Sequence, residues 1–122
     1  MHRIILPWPP SVNAMWRCVK GRTILSKAGR EWFAAAEKLV QEQWASTVEV
    51  PIRIEILVFP PDRRKRDIDN LAKPCLDALV KGMALADDSL VDMLSIERRP
   101  SEKPGRVEIA ILPLYPRVTY RD

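Results

Sequence analysis

Apolar and polar positions along the chain change period several times, and each change marks an element. Residues 2–7 (HRIILP) predict a short first strand. It stops at Pro7, Trp8, Pro9 and Pro10, where closely spaced prolines cannot continue a ladder and make a stiff extended loop. Residues 11–22 predict loop, with Gly21 as a turn point, and Thr23, Ile24 and Leu25 a brief strand. Ser26 suits the N-cap of a helix over residues 27–46. On it Trp32, Ala36, Leu39, Val40 and Trp44 recur at helical spacing and face a core.

Residues 52–59 (IRIEILVF) alternate, with Ile52, Ile54 and Ile56 on one face and Arg53 and Glu55 on the other; this is a strand closed by Pro60 and Pro61. A second helix follows over residues 69–82, its apolar stripe drawn from Ile68, Leu71, Ala72, Cys75, Leu76, Leu79 and Val80, and its stop at Gly82. Pro74 lies near enough to its start for the missing N–H to cost little. Residues 91–99 and 105–112 predict two more strands joined by a turn at 100–105, and the tail from Pro113 is expected to be extended. The elements add up to one mixed α/β (α+β) domain spanning residues 1–122, with about two helices packed on a four- to five-stranded sheet.

Composition narrows the class. With 122 residues, 47% apolar and 30% charged, the chain has an ordinary globular balance and room for one core. Cys18 and Cys75 stand far apart in no CxxC pattern, and no signal peptide or long apolar run is present. A cytoplasmic protein with reduced thiols, neither exported nor membrane-spanning, is the expectation.

Charge adds more. The net charge is only +4, but it is unevenly placed. Arg3, Arg17, Lys20, Arg22, Lys27 and Arg30 precede the first acid, Glu31. Arg63, Arg64, Lys65 and Arg66 form a run, and Arg98 and Arg99 a third cluster with Lys103 and Arg106 nearby. Such clusters suit a polyanion held through its phosphates. Taken alone, they are equally the solvated faces of a small basic protein.

The chemistry concentrates in residues 61–79 (PDRRKRDIDNLAKPCLDAL). Four consecutive cations abut Asp67 and Asp69, with Asn70 and Lys73 just after. Residues two apart share a face in extended chain, so the two carboxylates point together if the helix starts near Asp69, which can then act as N-cap. Lys73, four residues on from Asp69, lies one turn along the same face. Converging carboxylates repel unless neutralised, and a hard divalent cation such as Mg²⁺ does this with carboxylate oxygens and retained water. The metal can then polarise a phosphoryl oxygen, and Lys73 can stabilise the charge that develops on the phosphate. A third acid is expected from Asp87 or Asp88. A helix from Asn70 to Lys81 is about 16 Å long, and the chain from there to Asp88 spans up to about 24 Å, so the return is feasible within one chain, with a partner chain as the alternative source.

Each piece also has a plainer use. Asp67 or Asp69 can simply cap a helix, Lys73 can pair with Asp69 or Asp77 on a solvated face, and Asp87 and Asp88 can make an ordinary turn. Trp8 and Trp16 can be core rather than base-stacking surface. It is the density of these groups within a short stretch that points to a metal-dependent phosphoester enzyme. A non-catalytic DNA-bridging protein and a ribonuclease using the same carboxylates are the competing classes.

Over residues 4–112 the chain resembles the RusA-like Holliday junction resolvases of bacteria and their prophages. The resemblance is carried by LPWPPSVN (6–13), GRTILS (21–26), DRRKRDIDNLAKPCLDAL (62–79), ADDSLVD (86–92) and KPGRVEIAI (103–111). It implies catalytic, metal-binding aspartates at Asp67, Asp69 and Asp88 and a functional lysine at Lys73. It also implies a homodimer that binds four-way DNA junctions and cuts two symmetry-related strands with Mg²⁺ or Mn²⁺. Arg63, Arg64, Lys65 and Arg66, with Arg17, Lys20 and Arg22, are then the expected DNA contacts.

Overall fold

The computed structural model describes residues 2–114. The tail expected to be extended therefore lies, beyond Leu114, outside the described residues. Strand β1 covers Ile4–Pro7, helix α1 Val12–Met15, β2 Trp16–Val19, β3 Arg22–Leu25, α2 Lys27–Gln43 and β4 Ile52–Phe59. A 3₁₀ turn at Ile68–Leu71 leads into α3 (Ala72–Lys81), and a second at Asp88–Leu90 leads into β5 (Val91–Arg98), followed by β6 (Arg106–Pro113).

Four strands form a mixed sheet in the order β1-β6-β4-β5. β6 runs antiparallel to both β1 and β4, whereas β4 and β5 are parallel. A parallel pair needs a crossover, and the segment carrying the 3₁₀ turn and α3 supplies it. β4 is central because it is apolar on one face throughout: Ile52, Ile54, Ile56 and Val58 are all buried. On the opposite face the charges of Arg53 and Glu55 meet at 2.8 Å and those of Arg106 and Glu108 at 2.7 Å.

The two long helices contribute the other half of the core. Trp32, Phe33, Ala36 and Val40 of α2 and Cys75, Ala78 and Leu79 of α3 are buried in one cluster with the sheet residues. Their close approach depends on Gly82, since a Cβ there would come 2.5 Å from Val40. Ser26 caps α2 as expected, its hydroxyl accepting from the Gly29 amide at 3.0 Å.

Three local readings need correction. The stretch expected to be loop, 11–22, contains α1 and β2, and β2 pairs with β3 as an antiparallel hairpin. Its two-residue turn, Lys20 (φ 51°) and Gly21 (φ 75°), is left-handed at both positions, the geometry that matches strand twist. The hairpin shows little alternation because most of its side chains are exposed. Helix α2 ends at Gln43 rather than at 46. There the Gln43 side-chain amide bonds both the N–H and the C=O of Ile5 at 2.8 Å, tying the helix end to edge strand β1. The third correction concerns the start of α3 and bears on the site.

Candidate active site

The chain enters α3 through extended backbone at Asp67 (φ −90°, ψ 123°), followed by the 3₁₀ turn that contains Asp69. Asp69 is therefore not the N-cap: it stands inside the first turn, and α3 begins after Leu71 with no side-chain cap. Asp67, which flanks the 3₁₀ turn, makes no capping hydrogen bond either. Both carboxylates are exposed. Among the described residues neither has a hydrogen-bond or ion-pair partner. The plainer use of these two acids, capping a helix, is not the one the fold makes of them.

Lys73 lies in the first turn of α3, with its side chain largely exposed. Its ammonium does not pair with Asp69. It contacts Asp77 Oδ1, one turn along α3, at 2.9 Å and Asp88 Oδ2 at 3.2 Å. These two bonds, Asp77 first, hold the Lys73 pKa above its ordinary value. Asp88 comes back to the start of α3 within one chain. After Gly82 the backbone turns through Met83 (φ 63°), and Ala84 and Leu85 bury themselves while Val48 bridges to Leu85. Residues 86–90 then run beside α3.

The neighbouring acids divide their tasks. Asp87 caps the second 3₁₀ turn, accepting from both the amide and the hydroxyl of Ser89. The hydroxyl and then the amide lower its pKa. Asp88, not Asp87, is the carboxylate that faces Lys73. A cleft of about 360 Å³ lies there, lined by Asp77, Asp87 and Asp88 together with Trp16, Phe33 and Lys81. The hairpin residue Trp16, 40% exposed, is thus a wall of this cleft and not part of the core. Arg17, Lys20 and Arg22 are exposed on the same hairpin.

The structure thus brings Lys73, Asp77 and Asp88 together, and leaves Asp67 and Asp69 on the preceding turn. Asp67 lines a different and larger cavity, of about 960 Å³. Among the described residues no three His, Cys, Asp or Glu side chains stand together as a ligand set. In donor chemistry the acids suit a hard divalent cation: two are exposed and unpartnered, and the third is held by one lysine. A closed cage of the three is not part of this arrangement.

The basic run folds into a groove. Arg63, Arg64, Lys65 and Arg66 line a cleft of about 560 Å³ together with Arg98 and Arg99. The lining holds six cations against one acid, Asp62. Asp62 accepts from Arg66 at 2.8 Å and from the Arg64 amide at 2.9 Å, and these bonds lower its pKa. Arg99 pairs with Glu97 at 2.6 Å. Arg98 donates to the backbone carbonyl of Arg66, pinning the loop to the end of β5. The parallel register that sets Val58 beside Arg98 explains the meeting, because the loop leaves the sheet just after β4. In the sequence these are two separate clusters, of which Arg63, Arg64, Lys65 and Arg66 but not Arg98 and Arg99 are expected DNA contacts; the pairing of β4 with β5 merges them.

Acids beside an ammonium, and a cationic groove on the loop that leads to them, are the kinds of group that suit a phosphodiester. A family model for endodeoxyribonuclease RusA matches residues 7–112. Crossover junction endodeoxyribonuclease RusA of Shigella sonnei is 36% identical over 111 residues, covering 90% of this chain and 92% of that protein. The proteins of that name from Escherichia coli strain K12 and Enterobacteria phage 82 match to the same extent. The chain belongs to the RusA family of endodeoxyribonucleases. No helix among the described residues is long and apolar enough to cross a membrane.

Proposed function

We propose that this protein is a Holliday junction resolvase, a hydrolase that cuts phosphodiesters in two symmetry-related strands of four-way DNA junctions during recombination and repair. The observation that carries the reading is the family match, whose 7–112 span includes every residue from Asp67 to Asp88. The related phage protein fits a bacterial or phage-encoded origin, and a cytoplasmic location goes with it.

The chain's own groups divide the work. Arg63, Arg64, Lys65 and Arg66, with Arg17, Lys20 and Arg22 on the hairpin, hold the phosphates of the arms and give affinity that falls steeply with salt. Lys73, protonated at neutral pH and already paired with two carboxylates, supplies positive charge to the phosphate as it becomes more anionic in the transition state. Asp67, Asp69 and Asp88 are the residues that would hold Mg²⁺, with Mn²⁺ as a substitute. Such a cation polarises a phosphoryl oxygen and makes bound water a better nucleophile. Two copies related by a two-fold axis match the near two-fold symmetry of a junction and place one site on each of two opposed strands.

Incubation with a labelled four-way junction and with linear duplex of the same sequence, each with and without Mg²⁺, tests the reading. Paired nicks at symmetric positions in the junction alone, only with the metal, are the expected result. Binding without any nick under all conditions would leave a DNA-bridging protein. Preferential cutting of an RNA duplex would make it a ribonuclease.

A further inference from the structure

We propose that the large cavity beside Asp67 receives a nucleobase of the bound DNA, while the sugar–phosphate backbone follows the cationic groove next to it. The proposal rests on the reading of the chain as a DNA junction enzyme and adds a base-binding site to it. Two observations carry it. The first is that the two clefts share a wall: Lys65 and Arg66 line both. On one side of that wall the lining is cationic; on the other Trp8, Pro9, Pro10, Val12 and Trp32 give it an apolar, aromatic part, and Glu31 and Asn70 add polar groups that can meet the edge of a base. A strand held by its phosphates on the Lys65–Arg66 ridge therefore has an apolar, aromatic chamber within reach of its bases.

The second observation is the place of Asp67, which lines the apolar cavity itself. A phosphodiester brought to this carboxylate carries one nucleoside on each side, and one of them must lie at the mouth of the chamber. Its volume of about 960 Å³ falls in the range of small-molecule sites, roughly 300–1,000 Å³. Trp32 is nearly buried and is fixed by its ring N–H donating to the Pro7 carbonyl at 3.0 Å. Trp8 is only half-buried, and the Arg66 guanidinium lies 5.6 Å from its ring centroid. An indole beside a guanidinium is a surface on which any base can stack. A charged rim that takes phosphate and an aromatic chamber that takes a planar base are together complementary to one nucleotide.

The test is a double-mutant cycle between protein and DNA. Binding of a labelled four-way junction is measured without divalent cation, while the nucleotides flanking the crossover are replaced one at a time by an abasic residue. The full-length wild type is compared with Trp8→Phe, Trp8→Ala and Val12→Asp. Val12 is 46% exposed at the start of α1, so Val12→Asp sets a charge in the chamber without touching the core, and it carries the test if Trp8→Ala does not fold. In wild type and Trp8→Phe one abasic position is expected to weaken binding about tenfold. In Trp8→Ala and Val12→Asp the same position should make little difference. Equal abasic penalties in all four proteins, or none in wild type, would overturn the proposal. A junction that wild type binds with this base dependence but never cuts would refute the resolvase reading alone. Paired cutting without base dependence would refute the chamber alone.

Discussion

Arg63 and Lys65 are exposed in the cationic groove and, among the described residues, make no ion pair or hydrogen bond through their side chains. Replacing both with glutamine therefore removes two positive charges without breaking an interaction of the folded chain, and stability should stay within about 0.5 kcal/mol of wild type. Every phosphate that the variant no longer neutralises makes the slope of log affinity against log salt shallower by about 0.9. If both cations touch phosphate, the slope changes by about 1.8, so the gap between wild type and variant shrinks about twelvefold between 50 and 200 mM salt. The assay is a salt titration of junction binding, read by anisotropy at fixed pH and without divalent cation. Lys38→Gln, on the exposed surface of α2, removes one positive charge away from the groove and should leave the slope unchanged. A variant slope equal to that of wild type would mean that the groove does not hold DNA. A change of about half that size from Lys38→Gln, one charge against two, would reduce the effect to net charge.

Other outcomes follow from the same geometry. Asp69→Asn removes a carboxylate that has no structural partner, so cleavage should be abolished while junction binding stays intact or tightens; joint loss of both would deny Asp69 that role. Leu79→Ala empties a site with no exposed surface between the helices and the sheet, and should cost about 2–5 kcal/mol in urea unfolding. A cost below about 1 kcal/mol would mean that the core is not packed as described. Burial pushes the Cys75 thiol up to about 12. It stays neutral in the folded chain while the unfolded chain ionises near pH 9, so its contribution is complete below that pH and is lost as pH rises toward 12. Denaturant titrations across that range should show a steeper loss for wild type than for Cys75→Ala, and a thiol reagent should label Cys18 but not Cys75 in the native protein.

The elements with one apolar face could be read directly from the amino-acid order. The strand predicted at 52–59 is observed at Ile52–Phe59, and α2 begins behind Ser26 as expected. In both, the alternation or helical spacing of large apolar residues leaves few other ways to bury them. The hairpin was legible only in its second half, where residues 23–25 and a turn at Gly21 were expected; exposed on most of its side chains, it carries no burial period, and its first strand does not stand out from loop.

In the site, the chemical types were plain from composition and order: acids, a lysine and a basic run within a short stretch. Their partners were not. Spacing offered Lys73 either Asp69 or Asp77; a 3₁₀ turn intervenes before the α-helix, and the ammonium goes to Asp77 and, from across the fold, to Asp88. The union of Arg98 with the 62–66 loop depends on β5 lying parallel to β4, and the chamber beside Asp67 draws its walls from the 8–12 loop, α2 and the approach to α3. Local order decides which side chains repeat on one face, because that depends only on backbone period. Which distant groups meet depends on how the sheet is ordered and how the crossover returns, and only the folded chain settles that.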